Sequence, residues 1–176
     1  MHNRIVLIGF MGTGKTIIGR QLARQLGWSF ADTDWEVERS SGLTIPAIFH
    51  QYGEHYFREC ERNVLAQLLP QSHQVLATGG GIVTDLESYR MLQESKESGV
   101  TIIWLTARPE VIYQRVACTP TRPLLQVPDP LAEIIRLMQA RHQLYAALAD
   151  YVVDTSEQSV NTVVQSIDRF WKSGEW

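Results

Sequence analysis

Gly9-Phe10-Met11-Gly12-Thr13-Gly14-Lys15-Thr16 has the spacing G-x-x-x-x-G-K-[ST], and each residue type in it suits one task around a polyphosphate. The glycines let the backbone turn tightly and aim its N–H groups inward at anionic oxygens. The segment runs into a predicted helix, whose unpaired N–H groups and dipole also favour anions. In that setting Lys15 reaches the β- and γ-phosphates, and the Thr16 hydroxyl is a ligand for Mg²⁺. Gly12, Thr13, Gly14, Lys15, Thr16 and Ile17 are the candidate ATP-binding residues of this loop.

Three other clusters carry chemistry. Asp32-Thr33-Asp34 follows a short strand signal, at the carboxyl end where open α/β sheets bind ligands. Two carboxylates so near a phosphate loop repel ATP unless they divide the work. Asp32 suits an indirect Mg²⁺ role, behind the metal's ligands or through water, and Asp34 suits a hydroxyl nucleophile. Capping of the next helix is the plainer alternative. Phe57-Arg58-Glu59-Cys60-Glu61 sets Arg58 and Glu61 one helical turn apart, a spacing that usually means a surface ion pair. Thr78-Gly79-Gly80-Gly81 ends a strand signal, and glycines there admit a ligand close to the backbone or simply make a turn.

Alternating strands and helices must position these clusters. Ile5–Ile8, Val75–Thr78 and Val100–Leu105 are continuous apolar runs, as expected of parallel strands buried on both faces, and Ser29–Ala31 and Tyr151–Val153 are shorter candidates. Helical spacing covers Thr16–Leu26, Gly53–Leu69, Leu131–Ala149 and Asn161–Trp171, while Pro109 fits the first position of a helix reaching Val116. The stretch 117–130 carries Pro120, Pro123, Pro128 and Pro130 without periodicity, which suggests a lid. The expectation is a three-layer α/β/α sandwich around a mostly parallel five-stranded sheet, in one domain spanning 1–176.

Composition narrows the classes. A net charge of −3, with 44% hydrophobic and 20% charged residues, describes an ordinary soluble domain without a field that attracts nucleic acid or anionic lipid. The chain has no apolar run near the roughly 20 residues needed to cross a bilayer. Cys60 and Cys118 match no metal or redox spacing, and the five histidines match no zinc motif. Cytoplasmic location and a monomer are expected.

In this order, the clusters resemble the shikimate kinase family: the loop, Asp-[Thr/Ser]-Asp, Phe-Arg-x-x-Glu and Gly-Gly-Gly, then Arg122-Pro123-Leu124-Leu125, and Arg141 with Tyr145 as R-x-x-x-Y. The likeness runs from Ile5 to about Thr155. It implies a P-loop, nucleoside-monophosphate-kinase-like fold with an acceptor segment at about 33–62 and a lid at about 117–130. It also implies ATP-dependent phosphorylation of the 3-hydroxyl of shikimate to shikimate 3-phosphate, a step toward chorismate and the aromatic amino acids. Asp34, Arg58, Gly80 and Arg141 are then the shikimate-binding set, with the arginines on the carboxylate and Asp34 on ring hydroxyls. The resemblance also implies that Lys15, Asp34 and Arg122 are catalytic, that Arg122 and Arg115 bind ATP with Arg115 stacking on adenine, and that Thr16 and Asp32 serve one Mg²⁺. Where the family often has a proline facing that arginine across the base, this chain reads Ser159-Val160. Two rivals are a gluconate-type or other small-metabolite kinase and a non-catalytic nucleotide-binding module. The first does not need both Phe-Arg-x-x-Glu and the triple glycine, and the second has no need of Lys15, Asp34 and Arg122 together.

Overall fold

The computed structural model describes residues 3–116 and 127–174. Arg122 and most of the expected lid lie outside the described residues. In chain order the elements are β1 (Arg4–Ile8), α1 (Lys15–Leu26), β2 (Ser29–Asp32), α2 (Thr33–Ser41), α3 (Ile45–Leu68) and β3 (Gln74–Ala77). A short 3₁₀ turn (Ile82–Thr84) leads to α4 (Leu86–Glu97), β4 (Val100–Thr106), α5 (Pro109–Val116), α6 (Pro130–Leu148), β5 (Tyr151–Asp154) and α7 (Val160–Ser173).

The five strands form one parallel sheet in the order β2-β3-β1-β4-β5. Their alternating side chains feed two cores. Val6 and Ile8 of β1, with Ile102 and Trp104 of β4, join one cluster with Ile48, Leu65, Leu92 and Leu148. Ile5 and Leu7, with Ile103 and Leu105, join the opposite cluster with Ile18, Leu22, Val163 and Ile167 of α1 and α7. This period of two, apolar on both faces, is why the strands read as unbroken apolar runs. Each fully buried leucine or isoleucine contributes about 1.5–3 kcal/mol. A third cluster, with Phe10, Met11, Ile112, Val116 and Ile134, ties the phosphate loop to α5 and α6.

The fold corrects one expected boundary. The helix expected from Gly53 begins at Ile45, where Thr44 caps it by accepting from Ala47 N. Gly53 is instead a kink within that helix, with φ 79° and ψ 177°. The nine-residue α2 ahead of it is capped by Asp32, whose side chain accepts from Asp34 N at 3.1 Å.

Candidate active site

Because β2, β3 and β1 are neighbours, the chain leaves them at one edge and sets Asp32, Thr78 and Gly9 side by side. The phosphate loop closes between β1 and α1. Gly14 caps α1 in a left-handed conformation, φ 93°, that a side chain rarely adopts. Lys15 curls back over the loop, donating to Gly9 O at 2.7 Å and Phe10 O at 2.9 Å. The Thr13 hydroxyl donates to Phe10 O at 2.8 Å, so the loop is braced by its own side chains.

From there Thr16 Oγ1 donates to Asp32 Oδ2 at 2.7 Å. Asp32 is buried, and its other oxygen is the cap of α2. The capping and the metal-side readings of Asp32 are thus compatible. A hydroxyl beside a carboxylate is the oxygen donor pair that suits a hard cation, which takes its remaining ligands from water and phosphate. Arg115, at the end of α5, donates to Gly12 O at 3.2 Å, Thr155 Oγ1 at 3.0 Å and Thr155 O at 2.6 Å. Ser159 lies nearby in sequence as the cap of α7, accepting from Thr162 N.

On the β3 side a cleft of about 570 Å³ opens. Asp34, Arg58, Glu61, Gly79 to Gly81 and Arg141 line it, with an apolar wall that includes Trp35, Ile45, Phe49 and Phe57. Gly80 packs so tightly on the phosphate loop that a Cβ there would start 3.0 Å from Met11 N. Its carbonyl accepts from Arg141 Nη1 at 3.0 Å and from the Tyr145 hydroxyl, two residues one turn apart on α6. Arg141 is only 6% exposed, and its guanidinium lies 5.4 Å from the Phe10 ring centre. Burial pushes the Tyr145 phenol up to about 12, which keeps it a donor at neutral pH.

Arg58 donates to Glu61 Oε2 at 2.7 Å and to Glu54 Oε1 at 3.0 Å. The expected surface pair is therefore a buried one: Glu61 is 0% exposed, under Gly79. Burial, aided by Asp34 and Asp85 and opposed by Arg58, pushes Glu61 up to about 7. Of the expected site residues, Gly12, Thr13, Gly14, Lys15, Thr16, Asp32 and Arg115 lie at or against the phosphate loop, Asp34, Arg58, Gly80 and Arg141 line the cleft, and Ile17 is an exposed residue of α1. Glu61 and the apolar wall from α2 and the front of α3 were not in the expected set. Glu61 was visible in Phe-Arg-x-x-Glu as a partner of Arg58, but spacing alone does not reveal burial.

A phosphate loop beside a cleft that offers two arginines and a carboxylate is the layout of a P-loop kinase for a small anionic acceptor. The family model described as Shikimate kinase matches residues 11–172. The shikimate kinase of Neisseria gonorrhoeae is 39% identical over 170 residues, covering 96% of this chain and 98% of that protein. That of Moorella thermoacetica is 42% identical over 173 residues, covering 98% and 96%. The structure of Acinetobacter baumannii shikimate kinase in complex with shikimate superposes with a TM-score of 0.92 at 37% identity, covering 97% of this chain and 93% of that one. The chain belongs to the shikimate kinase family.

Proposed function

We propose that the enzyme transfers the γ-phosphoryl group of ATP to the 3-hydroxyl of shikimate, using the two adjoining walls described above. The observation that carries this reading is the convergence of Asp34, Arg58, Gly80 and Arg141 on one cleft whose glycine turn touches the phosphate loop. Arg58 and Arg141 pair with the acceptor carboxylate, and Asp34 orients and deprotonates the hydroxyl that attacks. Lys15, now held by loop carbonyls, exchanges them for phosphate oxygens and stabilises the charge on the group in transit. Arg122, outside the described residues, is the lid cation in this reading, and Arg115 with the 159–160 stretch flanks the base.

Thr16 and Asp32 would hold Mg²⁺, and their oxygen donors fit it. When bound with ATP it supplies neutralisation of phosphate charge. Both walls come from one chain, which supports a monomer as the working unit. The need for ATP supports a cytoplasmic setting. Among the described residues no helix is long and apolar enough to cross a membrane.

A coupled ADP-release assay with shikimate, quinate and gluconate tests the reading. A cleft built to pair with a carboxylate and hydroxyls should favour shikimate by several orders of magnitude. Comparable turnover of gluconate would overturn it.

A further inference from the structure

One oxygen in the acceptor cleft has no task in the transfer reaction. Glu61 is fully buried, and Arg58 holds its Oε2 at 2.7 Å, but among the described residues its Oε1 has no hydrogen-bond partner. Gly79 packs directly on that oxygen. A Cβ at Gly79 would run into Glu61 Oε1 and lie 2.7 Å from Asp34 Oδ1, so carboxyl oxygens from α3 and α2 crowd one point of the floor. A buried carboxylate with one oxygen unmet and a second carboxylate beside it is costly to keep ionised.

The charged neighbours leave Arg58 as its main support. Asp34 on α2 and Asp85 at the start of α4 both oppose a negative charge at Glu61. Arg58 on its own helix favours it, but shares its guanidinium with Glu54. Across the cleft, Arg141 is engaged with Gly80 O, and Tyr145 is a neutral phenol near enough to feel Glu61. Arg62, one position along α3, pairs with Asp85.

Now place an anion on Arg58, as the proposed function requires; the inference rests on that reading. The guanidinium, already shared by Glu61 and Glu54, is then divided among three carboxylates, and a further negative charge enters the floor. We propose that binding of the anionic acceptor is coupled to uptake of one proton from solvent by Glu61. The new O–H bond forms at Oε1, the carboxylate becomes a carboxylic acid, and Oε2 remains an acceptor for Arg58. An oxygen without a partner becomes a donor at the point where Asp34 Oδ1 also lies. The acceptor's negative charge is thereby admitted without a net gain of negative charge in the floor. The sign follows: uptake on binding makes acceptor affinity fall as pH rises above the value at which free Glu61 ionises, about 7, and leaves it flat below.

Calorimetric titration of the full chain with shikimate at pH 8, in phosphate and in Tris buffer, reads the proton count directly. The slope of observed enthalpy against buffer ionisation heat should give uptake of about 0.3–1 proton per acceptor. In the Glu61→Gln variant, which keeps the shape and cannot titrate, the slope should fall to near zero while binding persists. Binding by wild type with no buffer dependence, or the same uptake in Glu61→Gln, overturns the proposal. If that variant does not fold, wild-type affinity alone decides. It should weaken roughly threefold or more between pH 6.5 and 8.5, and a flat profile overturns the coupling. Absence of shikimate binding in every condition is a different failure: it removes the functional reading, and the coupling with it.

Discussion

Eight consecutive residues make the phosphate loop, whereas the floor of the neighbouring cleft draws Asp34, Arg58, Gly79 to Gly81 and Arg141 from four separate stretches of chain. In the loop, Lys15 and Thr13 are satisfied by carbonyls within six positions of themselves. In the floor, a buried carboxyl has one oxygen without a partner among the described residues, and Arg58 holds the other. The loop is a local solution that needs only its flanking strand and helix. The floor is a tertiary solution, and its polar groups are balanced closely enough for a bound anion or a change of pH to redistribute protons. In the proposed function, specificity resides in the second kind of construction, since many chemistries share the first.

The strongest way to break this division is to mutate each wall separately. Asp34→Asn should lower kcat by about 10²–10⁴ and leave the KM for ATP nearly unchanged. Lys15→Ala should lower kcat by about 10²–10³ and also raise the KM for ATP. Steady-state kinetics with both substrates varied would check the pair. Near-normal turnover by the Asp34 variant removes it from the reaction.

Gly79→Ala sharpens the comparison within the floor. Its new methyl meets Glu61 Oε1 and Asp34 Oδ1 at a backbone conformation outside the left-handed region, so the effect is one of space rather than φ. Overpacking of this kind costs about 1–3 kcal/mol. Shikimate affinity should fall on the order of tenfold or more, with ADP affinity unchanged, as read by separate titrations.

The third test uses stability. Glu61 in the folded chain ionises near 7 instead of at its ordinary 4.5, because burial disfavours its charge. A carboxyl raised in this way binds its proton more tightly when folded. Its contribution is therefore present below pH 4.5 and lost as pH rises through about 7. Urea denaturation of wild type and Glu61→Gln across this range should show wild type losing ground by up to about 3 kcal/mol. A constant difference would mean that Arg58 keeps Glu61 ionised throughout.

The same contrast explains what could be read in advance. The phosphate loop was legible because its chemistry lies in adjacent residues, and β1, β3 and β4 because both of their faces are apolar. The front of α3 was not, since Gly53 resembles a helix boundary and its positive φ inside a continuing helix leaves no periodic mark. The Thr44 cap and Pro46 in its first turn were signals that pointed to the true start. The burial of Glu61 was illegible for a different reason. An Arg-x-x-Glu pair looks the same on a surface, and only the Gly79–Gly81 turn arriving from β3 covers it. Arg58, Gly80 and Arg141 were found through ordered motifs, yet their meeting in one cleft is a consequence of strand order.

The smallest expected effect is optical, and it separates the two walls by which tryptophan responds. Trp35 follows Asp34, lines the cleft and is 41% exposed. It packs edge-on to Phe30 at 5.9 Å and lies under the Arg20 guanidinium of α1 at 4.3 Å, so it joins α2 to the helix that follows the phosphate loop. Shikimate entering the cleft changes the polarity around its exposed edge. Emission should therefore shift saturably during a titration without nucleotide, and Trp35→Phe should remove most of the change. Trp104 is a second reporter, although it sits in a buried strand. It stacks on Tyr145 at 5.6 Å, and the Tyr145 hydroxyl bonds the Gly80 carbonyl on the cleft floor. Trp28 reports on neither wall, because it packs against His73 and Trp171. If the signal survives in Trp35→Phe and disappears in Trp104→Phe, acceptor binding is felt through Gly80 and α6 rather than through α2. The mobile side of the cleft is then the Arg141 side.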